Sequence, residues 1–202
     1  MKTMYLAAAM ASALTLSTPA SAGFFDLTLA PYVGASAGKS DADISCPAAT
    51  SCDNKDTAWK VYGGMEVNEY LSMEVGYANL GTTTYSSEGV GGRTGTRETH
   101  GMTVQLVGTY ALNPNFIFIG KGGFGILNTE VNGTIAGAPT GTPNNNAGDT
   151  DLEWSVGMGA QYNFTKTVGL RAEWERYFNV GDSDSTREST IDMITAGVIF
   201  KF

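Results

Sequence analysis

The stretch from Asp151 to Phe164 separates into two sets of side chains when every second residue is taken. One set is polar or small, and the other is apolar: Leu152, Trp154, Val156, Met158, Ala160, Tyr162 and Phe164. Because successive side chains of a β-strand point to opposite faces, this alternation predicts a strand with one wholly apolar face. Its aromatic residues lie towards both ends of that face, which is typical of a strand that crosses a lipid bilayer.

The same alternation recurs along the chain and predicts eight strands. Short turns near Asn68, Asn113 and Thr165 alternate with four long polar segments: the one that holds the two cysteines, Gly81–Glu98, Val131–Thr150 and Asn179–Ser189. In an antiparallel meander, this order places all short turns at one end and all long loops at the other. The predicted fold is therefore all-β, an eight-stranded antiparallel transmembrane up-and-down β-barrel with periplasmic turns and extracellular loops.

A secreted soluble barrel of the lipocalin type is the alternative, since it would show the same alternation turned inside out. Two features favour the membrane barrel. Glycines lie mid-strand on the polar side, where a crowded small-barrel interior needs them: positions 34, 64, 76, 157 and 159. Aromatic residues mark the ends of the apolar side, where a membrane barrel meets its two interfaces.

The N-terminus has the features of an export signal. Lys2 precedes an apolar run from Met4 to Leu16, and Ala20-Ser21-Ala22 resembles a cleavage site. We therefore expect residues 1–22 to be a cleavable signal peptide and residues 23–202 to be the barrel domain, located in the cell outer membrane. The formal net charge of −8 argues against a nucleic-acid partner.

Cys46 and Cys52 are the two cysteines of the chain. Export brings them to a compartment where a disulfide persists, so we predict a staple within the first extracellular loop. A metal or redox site is the alternative, but no histidine lies nearby to complete a zinc site. We expect neither a metal nor another cofactor in this protein.

Several strand segments resemble the transmembrane domain of outer membrane protein A and the related OmpX-like barrels. The segments are Met73–Tyr77 with Leu80-Gly81, Val104–Leu106, Leu170–Trp174 and Gly197–Phe202. The resemblance covers nearly all of residues 23–202. It implies an outer-membrane barrel with a glutamate on the third strand, a lysine on the fourth, a glutamate on the sixth and an arginine on the seventh, all inside the barrel.

Two of these interior charges are present here. Glu74 and Arg171 match the third- and seventh-strand positions, whereas Thr109 and Gln161 stand where the lysine and the other glutamate would be. One cation and one anion are thus missing together, which leaves the interior balanced. Buried charges must pair, so we expect the Glu74–Arg171 pair to block the lumen and its loss to increase leak.

Three further charges are expected in the interior, two from strand alternation and one from the cost of the alternative position. Glu173 shares the face of Arg171, and Lys60 lies on the polar face of the second strand. Lys121 is placed inward because a lysine on the lipid face at mid-bilayer costs roughly 2 to 4 kcal/mol. The predicted interior charge network is therefore Glu74, Arg171, Glu173, Lys121 and Lys60.

Catalysis and metal binding find little support in the sequence. His100 is the single histidine, and no serine nucleophile is evident near it. The acidic segments Asp41–Asp43, Asp149–Asp151 and Asp182–Asp184 lack the spacing of a calcium loop. We therefore expect a protein that is not an enzyme.

The preferred function is that of a surface protein, which supports membrane integrity, adhesion or host contact through its four loops. A narrow passive channel is the alternative, and a lipid A-modifying enzyme is a third reading with less support. The expected partners are outer-membrane lipid and lipopolysaccharide, a host or surface ligand at the loops, and the barrel assembly machinery. Phe202 with Phe200 resembles the C-terminal signal that this machinery reads.

Overall fold

The computed structural model describes residues 30–43, 50–87, 93–135, 145–180 and 189–202. The nine strands of these residues are β1 (Ala30–Asp43), β2 (Thr50–Asp53), β3 (Lys55–Asn68), β4 (Leu71–Ser87), β5 (Arg93–Ala111), β6 (Phe116–Ile135), β7 (Asn145–Asn163), β8 (Val168–Val180) and β9 (Ser189–Lys201). The expected signal peptide lies outside the described residues, so the boundary at residue 22 stays a prediction.

Eight of these strands close into a barrel. Each pairs antiparallel with its neighbours in the order β4-β3-β1-β9-β8-β7-β6-β5, and a β4–β5 ladder completes the ring. The predicted eight-stranded antiparallel barrel is confirmed. The ninth strand, β2, lies outside the ring and pairs with the end of β4 from Thr84 to Ser87. No helix in the described part of the chain is long and apolar enough to cross a membrane.

Side chains alternate between the lumen and the outer surface, as a two-residue period requires. Most charged and amide side chains of the middle of the barrel are buried inside it, whereas the outer surface exposes many large apolar side chains. On β7 the outer set is the one identified from the sequence and includes Leu152, Trp154, Val156, Met158 and Tyr162. The apolar surface of this molecule is therefore its outside.

Four neighbouring strands are longer than the sequence pattern indicated. β4, β5, β6 and β7 contain 17, 19, 20 and 19 residues, compared with about 9 to 11 needed to span a bilayer. The expectation that 81–98 and 131–150 are loops is wrong for much of these segments. Their polar residues, many of them threonines, continue the ladders. Between β4 and β5 the pairing runs from Thr82 with Glu98 to Ser86 with Thr94, and between β6 and β7 it runs from Val131 with Ala147 to Gly133 with Asn145.

A bulge in β4 accompanies this extension. The β4–β5 register shifts between Asn79 and Thr82, and Gly81 adopts a left-handed φ of 88° that favours glycine. The Asp56 carboxylate of β3 accepts a 2.7 Å hydrogen bond from the Thr82 backbone N–H. The bulge therefore links the part of β4 before Asn79 to its long extension without loss of pairing to β5.

Candidate functional site

The lumen contains a cluster of six buried charged side chains, which we call the charge network: Lys60, Glu74, Lys121, Arg171, Glu173 and Glu175. The ammonium of Lys121 is at its centre. Its Nζ lies 2.9 Å from Glu74 Oε2, 2.6 Å from Glu173 Oε1 and 3.7 Å from Glu175 Oε1. Lys121 thus contacts all three carboxylates of the network.

The other two cations complete the charge balance. Lys60 Nζ lies 2.6 Å from Glu173 Oε2 and also forms an ion pair with Glu175. Arg171 Nη1 donates to Glu74 and lies 3.8 Å from Glu173 Oε1. Three cations therefore face three anions in a space from which water is largely excluded, and the network is formally neutral. Such a network is satisfied only while every member is present.

Neutral side chains satisfy further hydrogen bonds around the network. Gln105 Nε2 donates to Glu175 Oε1 at 3.0 Å, and Arg171 Nε donates to Gln161 Oε1 at 3.1 Å. The hydroxyl of Tyr32 donates to Glu74 Oε1 at 2.9 Å. The ring centroid of Tyr62 lies within 6 Å of all three cations, at 5.5 Å from Lys60, 5.8 Å from Lys121 and 5.2 Å from Arg171. These distances are in the range of cation–π contacts.

Glycines on β7 make room for the glutamates of β8. Gly159 lies opposite Glu173 and Gly157 lies opposite Glu175 in the ladder. A β-carbon at either glycine would be 2.9 Å from the Cγ of the facing glutamate, and at Gly157 it would also be 3.0 Å from the Cγ of Lys121. The glycines on the polar side of this strand thus allow long charged side chains to lie against the barrel wall.

The structure places all five residues of the predicted interior network in this one cluster. Gln161 also reaches it, whereas Thr109 lies near a turn, where its hydroxyl donates to the Glu69 carbonyl at 3.0 Å. The sequence analysis did not include Glu175, although its position on the face of Arg171 and Glu173 was a usable signal. Tyr32, Tyr62 and Gln105 were missed because polar-face aromatics and amides carry no comparable signal.

An apolar cluster lies in the lumen on the side of the charge network that was predicted to be extracellular, and we call it the apolar layer. It consists of Ala42, Ala58, Ala78, Leu80, Leu127, Tyr177, Val180, Ile191 and Met193, all 5% exposed or less. Six of the eight barrel strands contribute to it. On every strand that carries a network charge, the residues of this layer lie farther from the periplasmic turns than that charge does. Tyr177, for example, follows Glu175 as the next inward residue of β8.

A cavity of about 10 Å³ lies on the outer side of the apolar layer. Ala42, Leu80 and Ile191 of the layer line it, together with Arg97 and several hydroxyl-bearing side chains. Arg97 is 6% exposed; its Nη1 donates to Ser189 Oγ at 2.9 Å and its Nη2 to the Val180 carbonyl at 2.5 Å. A cavity of this size has room for about one water molecule.

The remaining predicted positions lie away from the lumen or outside the described residues. His100 is on the outer face of β5, 6.1 Å from the Tyr77 ring, and its Nδ1 is 3.9 Å from Glu98 Oε1. Within the described ranges, no group of three or more His, Cys, Asp or Glu side chains could hold a metal ion. The acidic segment 182–184 and Cys46 lie outside these ranges, so the disulfide with Cys52 stays a prediction.

The C-terminal aromatics belong to the outer surface. Phe200 and Phe202 are 45% and 70% exposed, and the Phe202 backbone N–H donates to the Pro31 carbonyl at 3.1 Å. The last residue is thus joined to β1 through its backbone while its ring points outward. An interior of charges and an exterior of exposed aromatics is the distribution expected in lipid rather than in water.

Residues 30–202 match the model of the OmpA-like transmembrane domain. This match covers the whole barrel, including the strands that carry the charge network. The chain belongs to the OmpA-like transmembrane domain family. The protein is therefore an outer-membrane β-barrel of this family, as the sequence segments on the third, fourth, seventh and eighth barrel strands predicted. No curated protein matches the chain.

Solved structures of outer-membrane barrels share the fold of this OmpA-like domain at low sequence identity. Neisserial surface protein A is 18% identical, with a TM-score of 0.55, and the match covers 85% of this chain and 97% of that one. Ail, the attachment invasion locus protein of Yersinia pestis, is 13% identical with a TM-score of 0.52, covering 86% and 97%. OprG from Pseudomonas aeruginosa is 11% identical with a TM-score of 0.51, covering 88% and 98%.

Proposed function

We propose that this OmpA-like barrel is a non-enzymatic cell-surface protein that contacts extracellular partners, in adhesion or host interaction, through the extension of its sheet beyond the bilayer. The observation that carries this proposal is the length of β4, β5, β6 and β7, which remain paired well past a membrane span. Strand β2 adds to the same extension through its ladder with β4. A paired sheet offers a partner an ordered surface, which lowers the entropic cost of binding.

The charge of the extracellular segments indicates the chemistry of the partner. Taken together, the predicted extracellular segments 39–57, 81–99, 129–153 and 179–190 contain more acidic than basic residues, although 81–99 has equal numbers of the two. An acidic surface attracts cationic partners and repels polyanions. Ail of Yersinia pestis has been seen in complex with the heparin analogue sucrose octasulfate. We expect the present protein to prefer basic protein surfaces to such polyanions.

The outer belt of the barrel supports the expectation of lipid partners. Its exposed apolar side chains would contact the hydrocarbon tails of outer-membrane lipid. The end of the belt nearest the long loops would contact lipopolysaccharide. The salt bridge between Arg176 and Asp192, with Arg176 Nη2 at 2.7 Å from Asp192 Oδ2, lies on this outward face above Trp174. Charged groups beside an aromatic girdle suit the polar headgroup region.

The other two functions receive less support. The charge network and the apolar layer fill the lumen, which disfavours a steady passive channel. His100 faces outward, beside Tyr77 and Glu98, and Nδ1 of His100 has no hydrogen-bond partner among the described residues. That environment offers no Ser-His-acid arrangement of the kind that a lipid-modifying hydrolase needs.

A hairpin-shortened variant tests the proposal. Thr84 pairs with Thr96, and Glu130 pairs with Gly148, so residues 85–95 and 131–147 can each be replaced by Asn-Gly turns without a change of register. A non-adherent Gram-negative strain would display the intact or the shortened protein, with equal surface levels verified by surface labelling and folding verified by heat-modifiable migration. We expect the intact protein to increase attachment to epithelial monolayers and the shortened one to abolish that increase. Equal attachment by both strains would contradict the proposal.

A further inference from the structure

We propose that the lumen is closed by two barriers in series and that the apolar layer excludes ions independently of the charge network. The proposal concerns the inside of the barrel and does not depend on the surface function. It revises the expectation that loss of Arg171 alone increases leak, because that expectation considered the network as the single barrier.

The order of the two barriers follows from the strand sequences. Lys60 and Ala58 are successive inward residues of β3, and Ala58 is the one nearer the extracellular end. On β6, Leu127 lies six residues beyond Lys121 in the same direction, with only Gly123 and Gly125 as inward residues between them. An ion that passes the charge network from the periplasmic side therefore still has to cross the apolar layer.

The composition of the apolar layer explains how it excludes ions. Ala58, Val180 and Met193 have essentially no exposed surface, and Leu127 and Tyr177 are almost as buried. The tyrosine is the largest side chain of the layer. Such closely packed side chains leave little room for a hydrated ion and offer it few ligands in place of its water. Glu153 of β7, which pairs with Gly125, is a buried carboxylate at about this depth, so the barrier rests on packing rather than on a wholly apolar ring.

The charge network has a different effect on conduction. Its six charged side chains form ion pairs at short distances. Removal of one pair therefore leaves the other two pairs in the lumen. Water that enters such a gap remains on the periplasmic side of the apolar layer. Breaking the network should therefore weaken the barrel without opening a path through it.

Planar-bilayer recordings of four refolded proteins test the order of barriers. They are the wild type, a charge-balanced network variant (Glu74→Gln with Arg171→Met), a layer variant (Leu127→Ser with Met193→Ser) and the combination of all four substitutions. We expect steady openings from the combination alone. Steady conductance from the network variant at the level of the combination would overturn the proposal, and so would a combined variant that folds yet stays closed.

A labelling experiment keeps the proposal testable where the combined variant does not fold. In a Cys46→Ser, Cys52→Ser background, Ala78→Cys places a thiol in the apolar layer, and Lys55→Cys places one on an exposed position, since the Lys55 side chain is 72% exposed. A charged thiol reagent should react with the Ala78→Cys protein about a hundredfold more slowly, because a side chain at position 78 is buried and closed to the reagent. The same low rate is expected in the network variant. A rise towards the Lys55→Cys rate there would show that water and ions reach the layer, and would overturn the proposal.

Discussion

Tyr32 and Gly64 face each other in the β1–β3 ladder, and the tyrosine ring lies so close to the glycine that a β-carbon there would be 2.2 Å from Cζ. The arrangement occurs twice, since Tyr62 lies over Gly34, where a β-carbon would be 2.3 Å from Tyr62 Cζ. Each glycine thus provides the space in which an interior aromatic ring packs against the barrel wall, as aromatic side chains do over glycines in designed sheets. Through its hydroxyl, Tyr32 also reaches Glu74 of the charge network.

Gly64→Ala should therefore destabilise the barrel by about 1 to 3 kcal/mol, the usual cost of overpacking. The added methyl group displaces the Tyr32 ring and weakens its hydrogen bond to Glu74. Gly120→Ala is the matched control, because Gly120 is also mid-strand but has no atom within 4 Å of its β-carbon position. Denaturant unfolding of the refolded proteins would measure the free energy of unfolding of both variants. Similar stabilities of the two variants would show that the ring of Tyr32 moves away at little cost.

Arg171→Ala should destabilise the barrel by about 3 to 5 kcal/mol, because it leaves an excess negative charge buried in the network. Glu74 keeps Lys121 as a partner but loses the guanidinium. Removing both charges with Glu74→Gln and Arg171→Met should recover part of this loss, since the network is then neutral again. Lys55→Ala is the surface control, with an expected change within about 1 kcal/mol. A double variant less stable than Arg171→Ala would contradict the charge-balance argument.

Phe202→Ala should lower the amount of protein in the outer membrane of cells, while the purified chain still refolds in detergent. The ring is 70% exposed and contributes little packing, and alanine retains the backbone N–H that bonds to Pro31. Recognition by the barrel assembly machinery would then be the step that is lost. Quantitative blots of outer-membrane fractions measure this, with Leu170→Ala as a control on the same outer surface. Normal levels of the Phe202 variant would rule out the assembly role.

Replacement of Cys46 and Cys52 with serine should leave the barrel intact and make the first extracellular segment easier to cleave. A disulfide between nearby residues constrains only the loop that it closes, and β2 is held to β4 by its own ladder. Heat-modifiable migration should be unchanged, while limited proteolysis within residues 39–55 becomes faster. Disappearance of the folded band on the gel would mean that the cysteines support the barrel itself.

The order of side chains along the chain determined which residues face the lumen. A period of two residues assigns every position of a strand to one face, so Glu74, Arg171 and Glu173 follow from local sequence once the outer face is known. Lys121 follows from the energetic cost of the alternative position. The strand number and the closed antiparallel fold also follow, because eight alternating segments joined in turn by short turns and longer loops leave few arrangements other than a meander.

The family resemblance indicated the Glu74–Arg171 pair, and the tertiary structure decided which of the other charges meet. Lys60 pairs with Glu175 across 115 residues of sequence, and Glu74 pairs with Lys121 and Arg171 across 47 and 97 residues. These contacts depend on the stagger between strands when the sheet closes, which no local pattern encodes. The same closure stacks Leu127, Tyr177 and Met193 into one apolar layer. The paired extension of β4 to β7 likewise depends on cross-strand partners, since its threonine-rich segments resemble loops until a neighbouring strand supplies the hydrogen bonds.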